Sequence, residues 1–343
     1  MNRPTSEKVK RLVASFPGIH HLHFEMPSDA DGEWERIIDA VASLKELKGI
    51  RAGIRINDNT ARPLSQLKNL EELSISVESL SAEGAASLKQ MESVTRLTLY
   101  PQGEQADLLG QRVLNCFPKL RHLIIDGPGV STKTFQAIGE LKELKSLRGG
   151  GLNDVHPENF GFVSRLTNLE ELTYSMKKEK GYLQHLSPLK KLKRLDISYQ
   201  LKDDGEFDHL EELTNLEHIR IGGALSDKAL YSFRNMTKLK SLLLYSDEIT
   251  GSGLRHLKNL DELQKLRLYR ASLAPEHVPH LLELERLEYL DVAWSTLQNE
   301  NHWKSLKQLK PLKHLKQIWI ELEPKQWEEL EAALPGVSVY YYE

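Results

Sequence analysis

With one cysteine in 343 residues, Cys116, the chain can form no internal disulfide and carries no CxxC metal or redox pair. Long apolar runs are missing as well. Nowhere do about 18 apolar residues follow one another, the length a membrane-spanning helix needs, and the opening MNRPTSEKVKRLVASF lacks the apolar centre of a secretory signal. Neither sign of charge prevails: 46 Lys and Arg stand against 49 Asp and Glu, a formal charge of -3. No global field therefore draws the chain to nucleic acid or to an anionic membrane. With 40% hydrophobic residues, these absences describe a folded, soluble protein and an expected cytoplasmic location.

Spacings that carry chemistry are missing too. RGGG (148–151) has neither the GxGxxG nor the P-loop pattern that cradles phosphate, and TGSG (250–253) is not the GxSxG of a nucleophile elbow. In SDADGEWERII, a calcium loop whose sixth residue is Gly32 would put Ile38 where a bidentate Glu must stand. KDDGEFDH (202–209) crowds acids without ordered ligand spacing. Cys116, ahead of FPKL, reads as a core residue. No constellation has the mutual arrangement that nucleophilic or acid–base catalysis requires, so neither an enzyme nor a cofactor is expected.

What the chain has in abundance is one phrase. LKNLEELSI (67–75), LTNLEELTY (166–174), LKKLKRLDI (189–197), LTNLEHIRI (213–221), MTKLKSLLL (236–244), LDELQKLRL (260–268), LERLEYLDV (284–292) and LKHLKQIWI (312–320) share the template LxxLxxLxL. MESVTRLTL, FPKLRHLII and LKELKSLRG are weaker copies. From residue 73 to residue 290 the penultimate template position returns every 23 to 26 residues. A final LxL suits a short strand with both leucines inward, and earlier leucines three apart suit a turn along the flank of a shared core. After the strand, an apolar residue and an N-cap recur: Leu80-Ser81, Val130-Ser131, Leu225-Ser226 and Ile249-Thr250, with apolar residues about two helical turns on. Those Ser and Thr hydroxyls are expected to cap short helices.

The pattern resembles the leucine-rich-repeat superfamily, with short repeats of the intracellular or bacterial type, over roughly residues 16 to 343. The resemblance implies an α/β leucine-rich-repeat solenoid, an open horseshoe with a parallel concave sheet and short helices on the convex side. One domain is expected over 1–343. Residues 1–45 would form an N-terminal cap and first strand, 46–320 the repeats, and 321–343 a C-terminal cap of helix, Pro335-Gly336 turn and closing strand.

In GIHHLHFEMP (18–27), His21, His23 and Glu25 fall at every second position, a plausible metal-ligand set on a strand face. If Leu22 and Phe24 point inward, however, the three are simply the outward face of a repeat strand. The next strand would add Arg55 and Asn57, and an arginine is unfavourable beside a cation. A solvated strand face is the expectation, with no metal.

The same inward-outward logic lists the outward surface, and its C-terminal half gathers Tyr199, Arg220, Tyr245, Arg267, Tyr269, Arg270, Asp291, Trp294 and Trp319. Exposed Tyr, Trp and Arg dominate binding hot spots. These nine are the candidate partner-binding residues. The lysines of WKSLKQLKPLKHLKQ (303–317) fall beside core leucines and read as solvated flank. The resemblance implies a non-enzymatic protein–protein interaction module that takes a partner protein or peptide on its concave face. The alternative is a substrate-selecting adaptor or host-directed effector. A nucleic-acid ligand would require a basic stripe, which Asp126, Asp196, Asp291 and Glu321 interrupt. Neither a membrane nor a small-molecule substrate is implied.

Overall fold

Each LxL segment alternates inward and outward side chains, so its two apolar residues need a core and the residue between them faces away from it. The computed structural model describes residues 5–23, 33–149, 155–175, 179–198, 204–223, 225–295 and 302–341. Its chain divides into two units, Met1–Leu169 and Glu170–Glu343. The first holds β1 (His21–His23), β2 (Gly49–Ile56), β3 (Glu72–Val77), β4 (Arg96–Pro101), β5 (His122–Ile125) and β6 (Ser146–Gly149). The second holds β7 (Glu171–Ser175), β8 (Arg194–Ser198), β9 (His218–Gly222), β10 (Ser241–Tyr245), β11 (Lys265–Tyr269), β12 (Tyr289–Asp291), β13 (Gln317–Trp319) and β14 (Ser338–Tyr340). Within each unit, strands adjacent in the chain pair in parallel.

The repeat template sets the register. Leu73 pairs with Leu97, Leu97 with Leu123 and Leu123 with Leu147. In the second unit Leu172, Leu195, Ile219, Leu242, Leu266, Leu290, Ile318 and Val339 meet in the same way. A one-residue slip would turn every leucine to solvent, so burial enforces the pairing. Leu73, Ile75, Leu123, Ile125, Leu242, Leu244, Leu266 and Leu268 are all buried, as are the flank leucines Leu67 and Leu70. Each such side chain contributes roughly 1.5 to 3 kcal/mol by leaving water.

The first unit carries the helices α1 (Ser6–Ser15), α2 (Glu33–Val41), α3 (Asp58–Leu64), α4 (Ala82–Leu88), α5 (Ala106–Leu114) and α6 (Thr132–Gly139), and its last return, Pro157–Arg165, is a 3-10 segment. In the second unit the expected helices after Ser226 and Thr250 are instead 3-10 turns, Ala229–Phe233 and Ser252–Leu257. A segment of five or six residues closes at most one or two α-type bonds, so the tighter 3-10 pattern competes there. The inward residues are unaffected: Leu230, Phe233, Leu254 and Leu257 are buried.

Capping is partly displaced from the expected hydroxyls. Ser81 Oγ does accept from the Glu83 and Gly84 amides, whereas Ser131 makes no side-chain cap. Its helix is capped by the preceding repeat: Asp107 accepts from the Ser131, Lys133 and Thr134 amides. Asp58 likewise accepts from Ser81 N–H, Asp204 from Ser226 N–H, and Asp227 from the Thr250, Gly251 and Gly253 amides. Asparagines at the turn before the strand make a second cross-repeat bond, Asn69 to Lys45 O, Asn168 to Lys142 O and Asn215 to Lys190 O. These side chains satisfy backbone groups that short helices and turns leave open.

The closing elements are those expected: α7 (Pro324–Ala333), a turn in which Gly336 takes φ 89°, and β14. On β14, Val339 N–H is accepted by Glu331 Oε1 at 3.1 Å and Val339 C=O accepts from Trp327 Nε1 at 3.0 Å. Side chains of α7 thus occupy the edge-strand groups that a further strand would use.

Candidate partner-binding surface

Outward residues of consecutive strands lie in register, so they form rows about 4.8 Å apart per strand. In the second unit one row runs Asp196, Arg220, Leu243, Arg267, Asp291, Trp319, Tyr340. Beside it runs Arg194, His218, Ser241, Lys265, Tyr289, Gln317, Ser338, and Tyr245 pairs with Tyr269 at the strand ends.

Two aromatic rows result. Tyr245 and Tyr269 have ring centroids 6.3 Å apart, and Tyr269 and Trp294 5.6 Å. Nearer the start of the strands, Tyr289 and Trp319 are 6.3 Å apart, and Trp319 stacks on Tyr340 at 5.0 Å. Arginines engage both: the Arg267 guanidinium lies 4.9 Å from the Tyr289 ring and that of Arg270 5.8 Å from Tyr245. Tyr245 is 41% exposed and Trp294 50%; Arg267, Tyr269 and Trp319 are half-buried, and Arg220 and Arg270 are exposed.

Of the nine candidates, the structure brings Tyr245, Arg267, Tyr269, Arg270, Trp294 and Trp319 into these rows. Arg220 stands two strands from Arg267, with Asp196 at 3.9 Å. Tyr199 lies outside the described residues. Asp291 is a correction: expected as an outward contact, it is completely buried. Its neighbours explain this, because it stands in register between Arg267 and Trp319, and Tyr289 on its own strand donates its hydroxyl to Asp291 Oδ2 at 3.3 Å. Asp291 Oδ1 accepts from the Ala293 amide at 3.2 Å. The carboxylate therefore braces the strand end.

Sequence reasoning missed Tyr289 and Tyr340. The available signal was strand parity, since Tyr289 shares a face with Asp291. It also missed the backbone: Arg270 and Trp294 adopt φ 61° and φ 53°, the left-handed region that favours glycine. Both stand four residues beyond a template leucine, Leu266 and Leu290. Each costs about 1–2 kcal/mol in backbone energy, and retained strain of this kind gathers at ligand-contacting positions. Glu321 supports the second of them, its Oε2 accepting from Trp294 N–H at 2.7 Å, while its Oε1 is buried and without a hydrogen-bond partner among the described residues.

The local field is positive. Burial holds the His218 imidazole below its ordinary range, with Arg194, Lys240 and Lys265 pushing the same way against Glu217. A hydrogen bond with Tyr245 raises the Arg270 guanidinium further.

Elsewhere, the described part of the first strand alternates between solvent and core. His21 and His23 are exposed on either side of buried Leu22, Glu25 lies outside the described residues, and among those described no three His, Cys, Asp or Glu side chains are grouped to hold a metal ion. The residue beside His23 is Arg51, not Arg55, because β2 shifts register between Arg51 and Ile54. Asn57 lies beyond β2 as the cap of α3, where its side chain accepts from Thr60 N–H. Burial pushes the Cys116 thiol up to about 11. Among the lysines of 303–317, Lys307 pairs with Glu329 and lies 5.1 Å from the Trp303 ring. No helix of the described residues is long and apolar enough to cross a membrane.

No protein-family model matches the chain, and neither does any curated protein. Solved structures do match. An internalin from Listeria monocytogenes superposes with a TM-score of 0.55 at 19% identity, over 99% of this chain and 85% of that one. A leucine-rich-repeat protein of Leptospira interrogans gives 0.50 at 15% identity, over 96% and 97%. A structure of TLR13 in complex with ssRNA13 gives 0.59 at 20% identity, over 95% of this chain and 47% of that one. With the repeat register above, these likenesses show the leucine-rich-repeat fold.

Proposed function

We propose that this leucine-rich-repeat chain is a non-enzymatic protein–protein interaction module, and that its partner docks on the outward face of β9 to β14. The observation that carries the reading is the pair of aromatic rows with Arg267 and Arg270 against them. Such rings offer large contact area at small entropic cost, and the register holds them in place before any partner arrives. The strained backbone at Arg270 and Trp294 supports the same surface, because each keeps a large side chain where the local conformation favours glycine.

Affinity capture from source-cell lysate tests the proposal, comparing the wild-type chain with a folded Tyr245→Ala/Arg267→Ala/Tyr269→Ala variant. A protein held by the wild type and lost by the variant is the expected result. Partners that persist with the variant would move the interface to the flanks or caps.

A further inference from the structure

The partner's chemistry can be narrowed from the register, on the reading that this face is the interface. On β8 to β12, the described outward side chains that carry full charge are Arg194, Arg220, Lys265 and Arg267 against Asp196 and the buried Asp291. Asp196 is already engaged by Arg220, at 3.9 Å. Arg270 adds a further exposed cation just past β11, where Asp247 is the nearby counter-charge. The chain as a whole is slightly acidic, so this excess is a property of the face and not of the composition. Burial is the main reason the His218 imidazole is held down, and Arg194, Lys240 and Lys265 lower it further against Glu217.

Spacing adds a second constraint. Arg220 and Arg267 are two strands apart in one row, roughly 10 Å at about 4.8 Å per strand. A segment in the extended polyproline II conformation advances about 3.1 Å per residue and turns once every three residues, so carboxylates three residues apart lie on one side of it, about 9 Å apart, and meet both guanidiniums. Alongside lies the shelf of Tyr245, Tyr269 and Trp294, which accepts one bulky apolar side chain. We infer that the occupant is an acidic, extended segment of a partner protein, laid across β9 to β12 with two carboxylates three residues apart and an aromatic or aliphatic anchor on that shelf.

Single-stranded nucleic acid would also satisfy arginines and rings. The far end of the shelf favours polypeptide. Glu321 sits under Trp294 with a buried carboxylate oxygen that lacks a donor among the described residues. A carboxylate there disfavours the evenly spaced phosphates of a nucleic-acid strand, whereas a peptide carries charge only at particular side chains and can present its apolar anchor at that end.

The test is selection of random dodecapeptides displayed on phage against the intact chain, followed by anisotropy titrations of fluorescein-labelled winners and of a mixed-sequence RNA dodecamer. Winners should carry paired Asp or Glu three apart with a bulky apolar residue. Their Kd should rise at least about tenfold with Arg267→Glu or Arg220→Glu and with added salt, and stay within about twofold for the flank variant Lys313→Glu. Neutral or basic winners, affinity indifferent to Arg267→Glu, or tighter RNA binding lost with the same variant would each overturn the inference. So would a selection without winners. The broader interaction reading would survive all but the RNA result, provided the lysate capture still returned a protein dependent on Tyr245 and Tyr269.

Discussion

Asp227 caps the repeat after its own: its Oδ1 accepts from the Gly253 amide at 2.8 Å, and a Cβ added at Gly253 would lie 2.4 Å from the Asp227 carbonyl oxygen. The two residues are tied by a bond and by a space that only glycine fits. Gly253→Ala is expected to destabilise the fold by about 1–3 kcal/mol through overpacking against backbone, and Asp227→Ala by about 2 kcal/mol through loss of the cap. Urea unfolding of both variants measures this. Equal midpoints for wild type and Gly253→Ala would show that the contact relaxes freely.

Acid should loosen these joints. Burial pushes the Asp227 carboxyl up, but hydrogen bonds from the Thr250 hydroxyl and the Gly253 and Thr250 amides outweigh it and hold the group below its ordinary value. Asp107 shows the same balance with Thr134, Lys133 and Ser131. A carboxyl with a folded pKa below its unfolded one stabilises the fold above the unfolded value and loses that contribution as pH falls through the folded one. Stability should therefore be level near neutrality and fall below about pH 4, the ordinary aspartate range. Asp107→Asn and Asp227→Asn should flatten that fall when melting is followed against pH.

The edge of β14 should become adhesive once uncovered. Trp327 and Glu331 occupy Val339 C=O and N–H, and an edge strand with free backbone groups recruits another strand. Trp327→Ala/Glu331→Ala is expected to melt several degrees lower and to self-associate as concentration rises. Sedimentation velocity would reveal it, and a strictly monomeric variant would show that α7 contributes packing alone.

Relief of backbone strain should stabilise the chain at the expense of binding. Arg270→Gly removes the left-handed penalty at φ 61°, worth up to about 1 kcal/mol once glycine's greater unfolded-state freedom is deducted. The same change deletes the cation beside Tyr245. Denaturation should shift to higher urea while affinity for a captured partner drops several-fold. A variant that binds as well as wild type would remove Arg270 from the interface.

The repeat itself was legible because burial is periodic. A leucine at every template position can be buried only if each copy pairs with the next in one register, as Leu73, Leu97 and Leu123 do. Strand parity then placed Arg220, Tyr245, Arg267, Tyr269 and Trp319 on the outward face, and the position of Cys116 ahead of the FPKL copy of the repeat marked it as core, where it is buried. What parity could not convey was how far an outward residue stands from solvent. Asp291 faces outward and is buried, because the side chains on the strands either side of it are larger than it is. The helix type of the second unit's returns was equally hidden, since the α and 3-10 forms bury the same leucines. Hidden too were the Asp cross-caps and the left-handed Arg270 and Trp294. Each depends on residues some 23 positions apart meeting across a strand or on a backbone angle forced by neighbours. Periodic hydrophobicity thus determined which residues share a core, and only tertiary stacking decided which of the remainder stay open to a partner.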